Sequence, residues 1–134
     1  MTPSPRSWPV PTELVAGHLL TVAPCPVRWT VPNPRPDTLI VVTPVGTAAR
    51  STWSQSVILD VHVWSGKPGD SPRAAAALAE QVREWLIQAP RQVPQITEVS
   101  AGSAVSIPDP DSGAPRYLVT ATVRVRPHPS SPSI

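Results

Sequence analysis

The chain has 134 residues, a length that fits a single domain. Apolar residues make up 40% of it and charged residues 15%, and its lysines and arginines outnumber its acids by 11 to 9, for a net charge of +2. The arginines are scattered, so no basic stripe typical of nucleic-acid binding is visible, and a single cysteine excludes an internal disulfide scaffold or a zinc site built of cysteines.

The first third of the chain predicts an arm, a short helix and a short strand. Residues 1–10 contain several prolines, which favour extended backbone, so we expect a flexible arm in which Trp8 can act as an anchor. Pro11 to Val22 places apolar residues at helical spacing and predicts a helix with Thr12 as its N-cap. Val27 to Val31 alternates and predicts a short strand before a proline-rich connector.

The next segment predicts a β-hairpin. Leu39 to Thr43 is a continuous apolar run, typical of a buried strand, whereas residues 44–56 are small and polar and predict a long hairpin loop. Val57 to Ser65 predicts a long strand, because valine and leucine recur at every second position and give it one apolar face. The other, mixed face consists of Ile58, Asp60, His62 and Trp64.

The main helix is predicted to follow this strand. Gly66 to Asp70 predicts a turn, after which Ser71 is expected to cap a helix that has Pro72 at its first position. Apolar residues then recur at helical spacing as far as Ala89, so we expect the helix to run to about that residue and to end at Pro90.

The last third predicts further strands. Val93 to Ser100 is expected to enter one, with Gly102 as a break or bulge and Ala104 to Ile107 continuing it. Residues 108–114 form a turn-rich loop, and Tyr117 to Arg126 predicts the last strand, with alternate residues on an apolar face.

These elements predict one α+β domain, residues 11–126. We expect a single mixed or antiparallel sheet of about four to six strands, with one long helix and one short N-terminal helix packed on one face. Residues 127–134 are rich in proline and serine and are expected to form a disordered tail. The chain has no run of about 18 apolar residues and residues 1–11 lack an apolar core, so we expect neither a membrane span nor a signal peptide.

No sequence motif for catalysis or cofactor binding is complete. Gly66 and Lys67 lack the spaced glycine and the following Ser or Thr of a phosphate loop. No serine lies in a Gly-x-Ser-x-Gly elbow, and no partner histidine can be assigned to Cys25 from the sequence. We therefore expect no enzyme and no cofactor.

Metal-binding patterns are also incomplete. Asp109, Asp111 and Gly113 match part of a calcium loop, but the remaining ligands are absent. The three histidines have no mutual metal spacing. Asp60 and His62 share a strand face and could form an acid–base pair, although an ordinary polar surface is the favoured interpretation. No metal site is expected.

The mixed strand face and the predicted hairpin loop supply a candidate subunit interface, because interfaces favour tryptophan and arginine. The candidate residues are Arg50, Trp53, Asp60, His62, Trp64 and Arg124. The alternative is that the domain's own arms cover Trp64. Since homo-oligomers usually close by rotational symmetry, self-association is expected to produce a ring.

Five segments occur in the order LIVVTPVG, VILDVHVWSG, SPRAAAALAEQVREWL, ITEVS and IPDPDSGAPRYLVTATVRVR. Over about residues 12–126 the chain thereby resembles tail terminator proteins of siphophages that infect high-GC hosts. In that group a strand ending in Val-Trp, here Val63 and Trp64, leads into a helix rich in Ala, Glu and Arg, here the helix from Ser71. A late Pro-Asp…Gly-x-Pro-Arg-Tyr hairpin, here Pro108 to Tyr117, feeds the last strand.

The resemblance implies a structural virion protein, made in the host cytoplasm and located at the head-proximal end of the tail. It implies a hexameric ring that stops tube polymerisation and docks the tail to the head. Its partners would be copies of itself, the major tail tube protein and a head-completion or connector protein, with DNA passing through the lumen without sequence-specific binding. Two alternatives stay open: another head–tail joining, neck or minor tail protein, and a small ligand-binding or regulatory domain.

Overall fold

The fold is one six-stranded sheet with two helices packed against one of its faces, as a computed structural model describes it for residues 7–128. Along the chain the elements are α1 (Pro11–Val22), β1 (Val27–Arg28), β2 (Thr38–Arg50), β3 (Gln55–Ser65), α2 (Arg73–Gln92), β4 (Ile96–Ala101), β5 (Val105–Ser106) and β6 (Arg116–Val125). The strand order is β1–β2–β3–β6–β4, and β5 also pairs with β6. Among the paired strands of residues 7–128, only β1 and β2 run parallel to each other, and the other pairs are antiparallel. The predicted α+β class, with a mixed sheet, one long helix and one short helix, is confirmed.

The core lies between the sheet and the helices. It is built as predicted, from alternate residues of the long strands and from the apolar stripe of α2. The main contributors are Ile40, Val42, Val57, Leu59, Val61, Val63, Val119, Ala121, Val123 and Val125 of the strands, and Leu78, Ala79, Val82, Leu86 and Ala89 of α2. Val15, Ala16 and Leu19 of α1 close the core beside α2.

Helix α1 has the predicted bounds, but its predicted N-cap is wrong. Pro11 occupies the first helical turn and Val10 is the N-cap, without a side-chain hydrogen bond. Thr12 is buried at 3% exposure instead, because it lies on the side of α1 that faces the core. His18 is also buried, and its Nε2 atom lies 3.0 Å from the Trp85 carbonyl oxygen, which ties α1 to α2.

The predicted strand at 27–31 is wrong beyond Arg28. Strand β1 pairs only with Ile40 and Val41 of β2, and Trp29 and Val31 are then about half exposed. The prolines that follow in the connector have no N–H to donate, so they cannot extend a hydrogen-bonded ladder.

The predicted loop at 44–56 is also wrong, because β2 continues to Arg50 and pairs with β3 over this stretch. The pairing shifts register twice, between Pro44 and Gly46 and between Thr47 and Ala49. Such irregularities allow a strand to include residues that disrupt a regular ladder, such as Pro44, which has no N–H to donate. The connection is reduced to a tight turn, in which the Ser51 hydroxyl accepts hydrogen bonds from the N–H groups of Trp53 and Ser54.

Helix α2 starts later and ends later than predicted. It begins at Arg73, whose N–H donates to the Ser71 hydroxyl, so Pro72 precedes the helix instead of opening it. Pro90 lies inside the last turn rather than ending the helix. A proline there removes only one backbone donor, and the Val93 N–H closes the helix on the Ala89 carbonyl oxygen.

The first two strands after α2, β4 and β5, are shorter than predicted, whereas β6 has the predicted length and lies one residue earlier. Strand β4 begins at Ile96 instead of Val93, and β5 covers two residues within the predicted segment at 104–107. Gly102 separates them, as predicted, and its N–H donates to the Thr120 carbonyl oxygen.

The described parts of the two chain ends lie together beside the β2–β3 turn. The His128 N–H donates to the Ser7 carbonyl oxygen over 2.7 Å, and Trp8 packs against the core with the Arg50 guanidinium 4.8 Å from its ring centre. The remainder of the predicted arm, residues 1–6, and of the predicted tail, residues 129–134, lies outside the described residues.

Candidate subunit interface

Trp64 lies on the outer face of the sheet, which is the face opposite the helices, yet it is only 2% exposed. It forms a small apolar cluster with Leu39, Val41 and Ala114, and its indole N–H donates to Asp109 Oδ2 over 3.2 Å. The β5–β6 loop therefore folds back over the sheet and covers Trp64. The indole cannot offer an exposed ring to a neighbouring subunit in this conformation.

Two arginines flank the same indole. The guanidinium carbons of Arg35 and Arg116 lie 5.7 and 5.5 Å from the Trp64 ring centre, within the range of cation–π attraction. Arg116 Nε also donates to the Ile107 carbonyl oxygen. This cluster of aromatic, cationic and acidic side chains fixes the β5–β6 loop to the outer face.

Asp109 is held ionised in this cluster. Partial desolvation would raise the pKa of its carboxyl group, but hydrogen bonds from the backbone of Asp111 and Ser112 and from the Trp64 indole lower it, as does the charge of Arg116. The pKa therefore lies below its ordinary value. The carboxylate accepts the indole hydrogen bond throughout the neutral pH range.

His62 lies beside Trp64 on β3, with the two ring centres 6.0 Å apart. Its Nδ1 atom is buried and finds no hydrogen-bond partner among residues 7–128. Burial lowers the pKa of His62, the nearby Arg116 charge lowers it further, and Asp60 opposes both effects. The neutral imidazole is therefore the favoured form.

The lowered pKa of His62 predicts a loss of stability in mild acid. In the unfolded chain the group binds a proton near its ordinary value of 6.5, whereas in the folded chain it does so only at lower pH. The unfolded state therefore takes up more protons between these values, and the free energy of unfolding falls as pH drops below about 6.5. Urea unfolding at pH 7.5 and 5.5 should show a smaller fall for His62→Gln than for the native chain, and equal falls would contradict the assignment.

The other polar groups of the outer face bind one another within the domain. Asp60 accepts a hydrogen bond from the Thr120 hydroxyl over 3.0 Å, not from His62, so the imagined acid–base pair is not assembled. Arg124 forms an ion pair with Glu98 at 3.1 Å, bridging β6 and β4. Exposed ion pairs of this kind add little to the free energy of unfolding. With their polar groups bound to one another in this way, Asp60 and Arg124 belong to an ordinary polar sheet surface.

The six candidate residues do not form one patch. Asp60, His62 and Trp64 follow one another along the outer face of β3, and Arg124 lies on the neighbouring strand at the turn end of the sheet. Arg50 is directed to Trp8, and Trp53 lies in the β2–β3 turn at 68% exposure. Trp53 is thus the most exposed aromatic side chain among the candidates.

A groove of about 430 Å³ runs across the Trp64 end of the outer face, and the sequence did not predict it. Its walls are residues 29–31 and 109–111, and its floor includes His62, Trp64 and Arg116. Arg116 lies there because it pairs directly with Trp64 across β6 and β3, a register that the sequence alone does not give. The wall at 29–31 is not predicted either, because the alternation from Val27 to Val31 favours a strand there.

The open edge of β2 is a second feature that the sequence did not predict. Strand β1 covers only Ile40 and Val41, so β2 has no further partner strand on that side within residues 7–128. Residues 44–50 are all exposed, and none before Arg50 carries a charge. A slot of about 270 Å³, lined mainly by apolar atoms, lies at this edge between α1 and the Gly46 region.

The opposite edge of the sheet is open as well. Strands β4 and β5 both pair with β6 on one side and, among the described residues, with no strand on the other. Val105 and Ile107 are exposed there at 54% and 37%. The domain thus presents two different open edges, one formed by β1 and β2 and one formed by β4 and β5.

No protein-family model matches the chain, and a search of curated proteins finds no match. Neither helix within residues 7–128 is both long and apolar enough to cross a membrane. In the same part of the chain, no three histidine, cysteine, aspartate or glutamate side chains are grouped so as to hold a metal ion. Cys25 is half-buried, and burial raises the pKa of its thiol, which disfavours the reactive thiolate.

Proposed function

We propose that the chain is a ring-forming structural subunit of a phage virion, acting as a tail terminator. The observation that carries this proposal is the uncharged, exposed stretch of β2 at residues 44–49, which within residues 7–128 has no partner strand on its outer side. Monomeric proteins usually protect such edges with charges, short strands or a covering segment, because an open edge pairs readily with another chain. Assembly of several copies would supply the missing cover.

The resemblance to tail terminators supports the specific role. Its two most distinctive segments, Val63–Trp64 and Pro108–Tyr117, meet in the structure, where Trp64 bonds to Asp109 and lies against Arg116. Val63 and Tyr117 are also directly paired between β3 and β6. The shared sequence pattern thus corresponds to one structural unit, the fixed β5–β6 loop, and not to unrelated stretches.

In the proposed role, copies of the chain form a ring, expected to be a hexamer, on the head-proximal end of the tail tube. One side of the ring meets the major tail tube protein and stops its polymerisation, and the other side meets the head-completion or connector protein. DNA passes through the lumen without sequence-specific contacts. The proposed location is the tail of the virion, after assembly in the host cytoplasm.

Electron microscopy of particles from a phage that lacks the gene tests the role directly. Loss of a terminator is expected to give tubes far longer than the normal tail, because nothing then stops addition of tube subunits. Normal-length tails that fail to join heads would instead assign the chain to the neck, which is the second candidate. Unchanged, infectious particles would contradict both roles, and re-expression of the chain in trans is the control.

A further inference from the structure

We propose that residues 1–6 of one copy add as an extra strand to the open part of β2, residues 44–50, of a neighbouring copy. This inference rests on the proposed ring and specifies the segment that covers its open edge. It is supported by the place where the chain leaves the domain, by the length of the edge, and by the spacing of the prolines in residues 1–6.

The described part of the chain begins at the turn end of the sheet. The Ser7 carbonyl oxygen accepts a hydrogen bond there from the other chain end, and the Trp8 ring lies beside the guanidinium of Arg50. From Trp8 the chain runs toward the middle of β2, because Pro11 lines the slot at that edge. Residues 1–6 could reach the same copy's edge only by reversing the chain direction at Ser7, whereas a neighbouring copy can be reached without that reversal.

The length of the segment matches the open edge. Residues 44–50 pair with residues 55–59 of β3, so the open part of β2 is about 16 Å long. Residues 2–6 in extended conformation cover the same distance, at about 3.3 Å per residue. Strand β1 pairs with Ile40 and Val41, which lie further along β2, so it does not obstruct an added strand of this length.

The prolines of the segment are spaced as an edge strand requires. In an extended chain the N–H groups of alternate residues point to the same side. Pro3 and Pro5 are two positions apart, so the donors that they lack belong to one side of the strand. The N–H groups of Thr2, Ser4 and Arg6 would point to the other side and bind β2. The prolines would then face outward, where they prevent a further strand from adding.

The segment at the other chain end lacks this spacing, although it starts beside Ser7. Pro129 and Pro132 are three positions apart, so each side of an extended strand would lose a donor. Pairing with a strand edge would be interrupted whichever side faced it. Residues 129–134 are therefore the less suitable occupant of the open edge.

The edge and the segment also match in polarity. The open part of β2 carries no charge before Arg50, and the slot beside it is lined mainly by apolar atoms. In the added strand the side chains of Pro3 and Pro5 lie on one face, which suits this slot, and the polar side chains of the intervening residues lie on the other. Burial of the prolines favours association in addition to the hydrogen bonds.

Cysteine cross-linking tests the contact, in a Cys25→Ser background with a short bismaleimide. The test pair is Ser4→Cys with Thr47→Cys. Ser4 is the middle residue of the added strand and exposed Thr47 lies at the middle of the open edge, so they come opposite each other in either strand direction. The control pair is Ser4→Cys with Ala77→Cys, which is also exposed but lies near the start of α2, at the other end of the domain.

We expect a ladder of covalent multimers on a denaturing gel for the test pair. The control pair should give at least about tenfold less product, because the length of the sheet separates its two positions. Loss of both thiols without multimers would place the segment on its own β2 and overturn the proposal. Multimers from Thr47→Cys alone would indicate a β2–β2 contact, and multimers from Ser131→Cys with Thr47→Cys in place of the test pair would indicate the other chain end. Either result would overturn the proposal, as would equal products from the test and control pairs.

A proline at the middle of the segment tests the hydrogen bonds. Ser4→Pro removes a donor that faces β2 and is expected to weaken self-association in sedimentation at least about tenfold. Ser4→Ala keeps the N–H group and is the matched control, which should change association by less than about threefold. Urea unfolding of the monomer, expected to be the same for both variants, checks that the fold is intact. Equal effects on association, or a native chain that stays monomeric at every concentration, would overturn the proposal.

Electron microscopy of the phage separates this inference from the proposed function. Overlong tails in the gene-deleted phage, together with unchanged association of Ser4→Pro, would leave the terminator role intact and reject only this contact. Normal tails in the gene-deleted phage, together with weakened association of Ser4→Pro, would support the contact between copies and reject the terminator role.

Discussion

Replacement of Trp64 by alanine is expected to lower the free energy of unfolding by about 3–5 kcal/mol, the range for truncation of a buried aromatic side chain. Trp64 is 2% exposed and joins three elements, since it packs on Leu39 and Val41 of β2 and bonds to Asp109 in the β5–β6 loop. The change removes this packing and also leaves Asp109 without its indole donor. Urea unfolding at neutral pH measures the loss.

The control for this prediction is the same substitution in the β2–β3 turn. Trp53 is 68% exposed, so Trp53→Ala is expected to change the free energy of unfolding by less than about 1 kcal/mol. Trp64→Phe should lie between the two, because it keeps most of the apolar packing but loses the hydrogen bond to Asp109. Similar losses for Trp64→Ala and Trp53→Ala would contradict the covering role of the loop.

Periodicity predicted the elements whose burial is one-sided. Val57 to Val63 and Val119 to Val125 alternate because one face of each strand lies under the helices, and α2 repeats its apolar residues at helical spacing for the same reason. The bounds of α1 followed from its apolar spacing and from the prolines on either side. In each case the local pattern and the tertiary contacts favour the same structure.

The second half of β2 could not be predicted in this way. The side chains of residues 44–50 are all exposed within the single chain, so neither face of this stretch is buried and the sequence shows no alternation of apolar and polar residues there. Their strand conformation comes from pairing with β3, a contact between neighbours that composition does not reveal. The absence of charge between Thr38 and Ala49 was the available signal, and it indicates an edge that is not designed for solvent.

The outer face shows a different limit. Alternation placed Trp64 correctly on the face opposite the core, but it could not show that the β5–β6 loop returns to cover that face. The covering depends on side-chain contacts between Asp109, Arg116 and Trp64, which are far apart in the sequence. A mixed strand face therefore indicates polar partners, without indicating whether they belong to the same chain.

Two adjacent leucines in α1 provide the second prediction of large effect. Leu19 is fully buried against the core, whereas Leu20 is 55% exposed on the other side of the helix. Leu19→Ala is expected to lower the free energy of unfolding by about 2–5 kcal/mol, because it removes apolar contacts and leaves a cavity between α1 and the sheet. Urea unfolding of the purified chain, at a concentration where it is monomeric, measures this loss.

Leu20→Ala is the matched control, with the same atoms removed one residue further along the same helix. It should change the monomer's free energy of unfolding by no more than about 0.5 kcal/mol, since the side chain already contacts solvent. The comparison separates docking of α1 from its intrinsic helix stability, because alanine favours the helix at both positions. Equal losses at the two positions would mean that α1 does not dock through the face that includes Leu19 and His18. Another segment would then have to cover the core at this place.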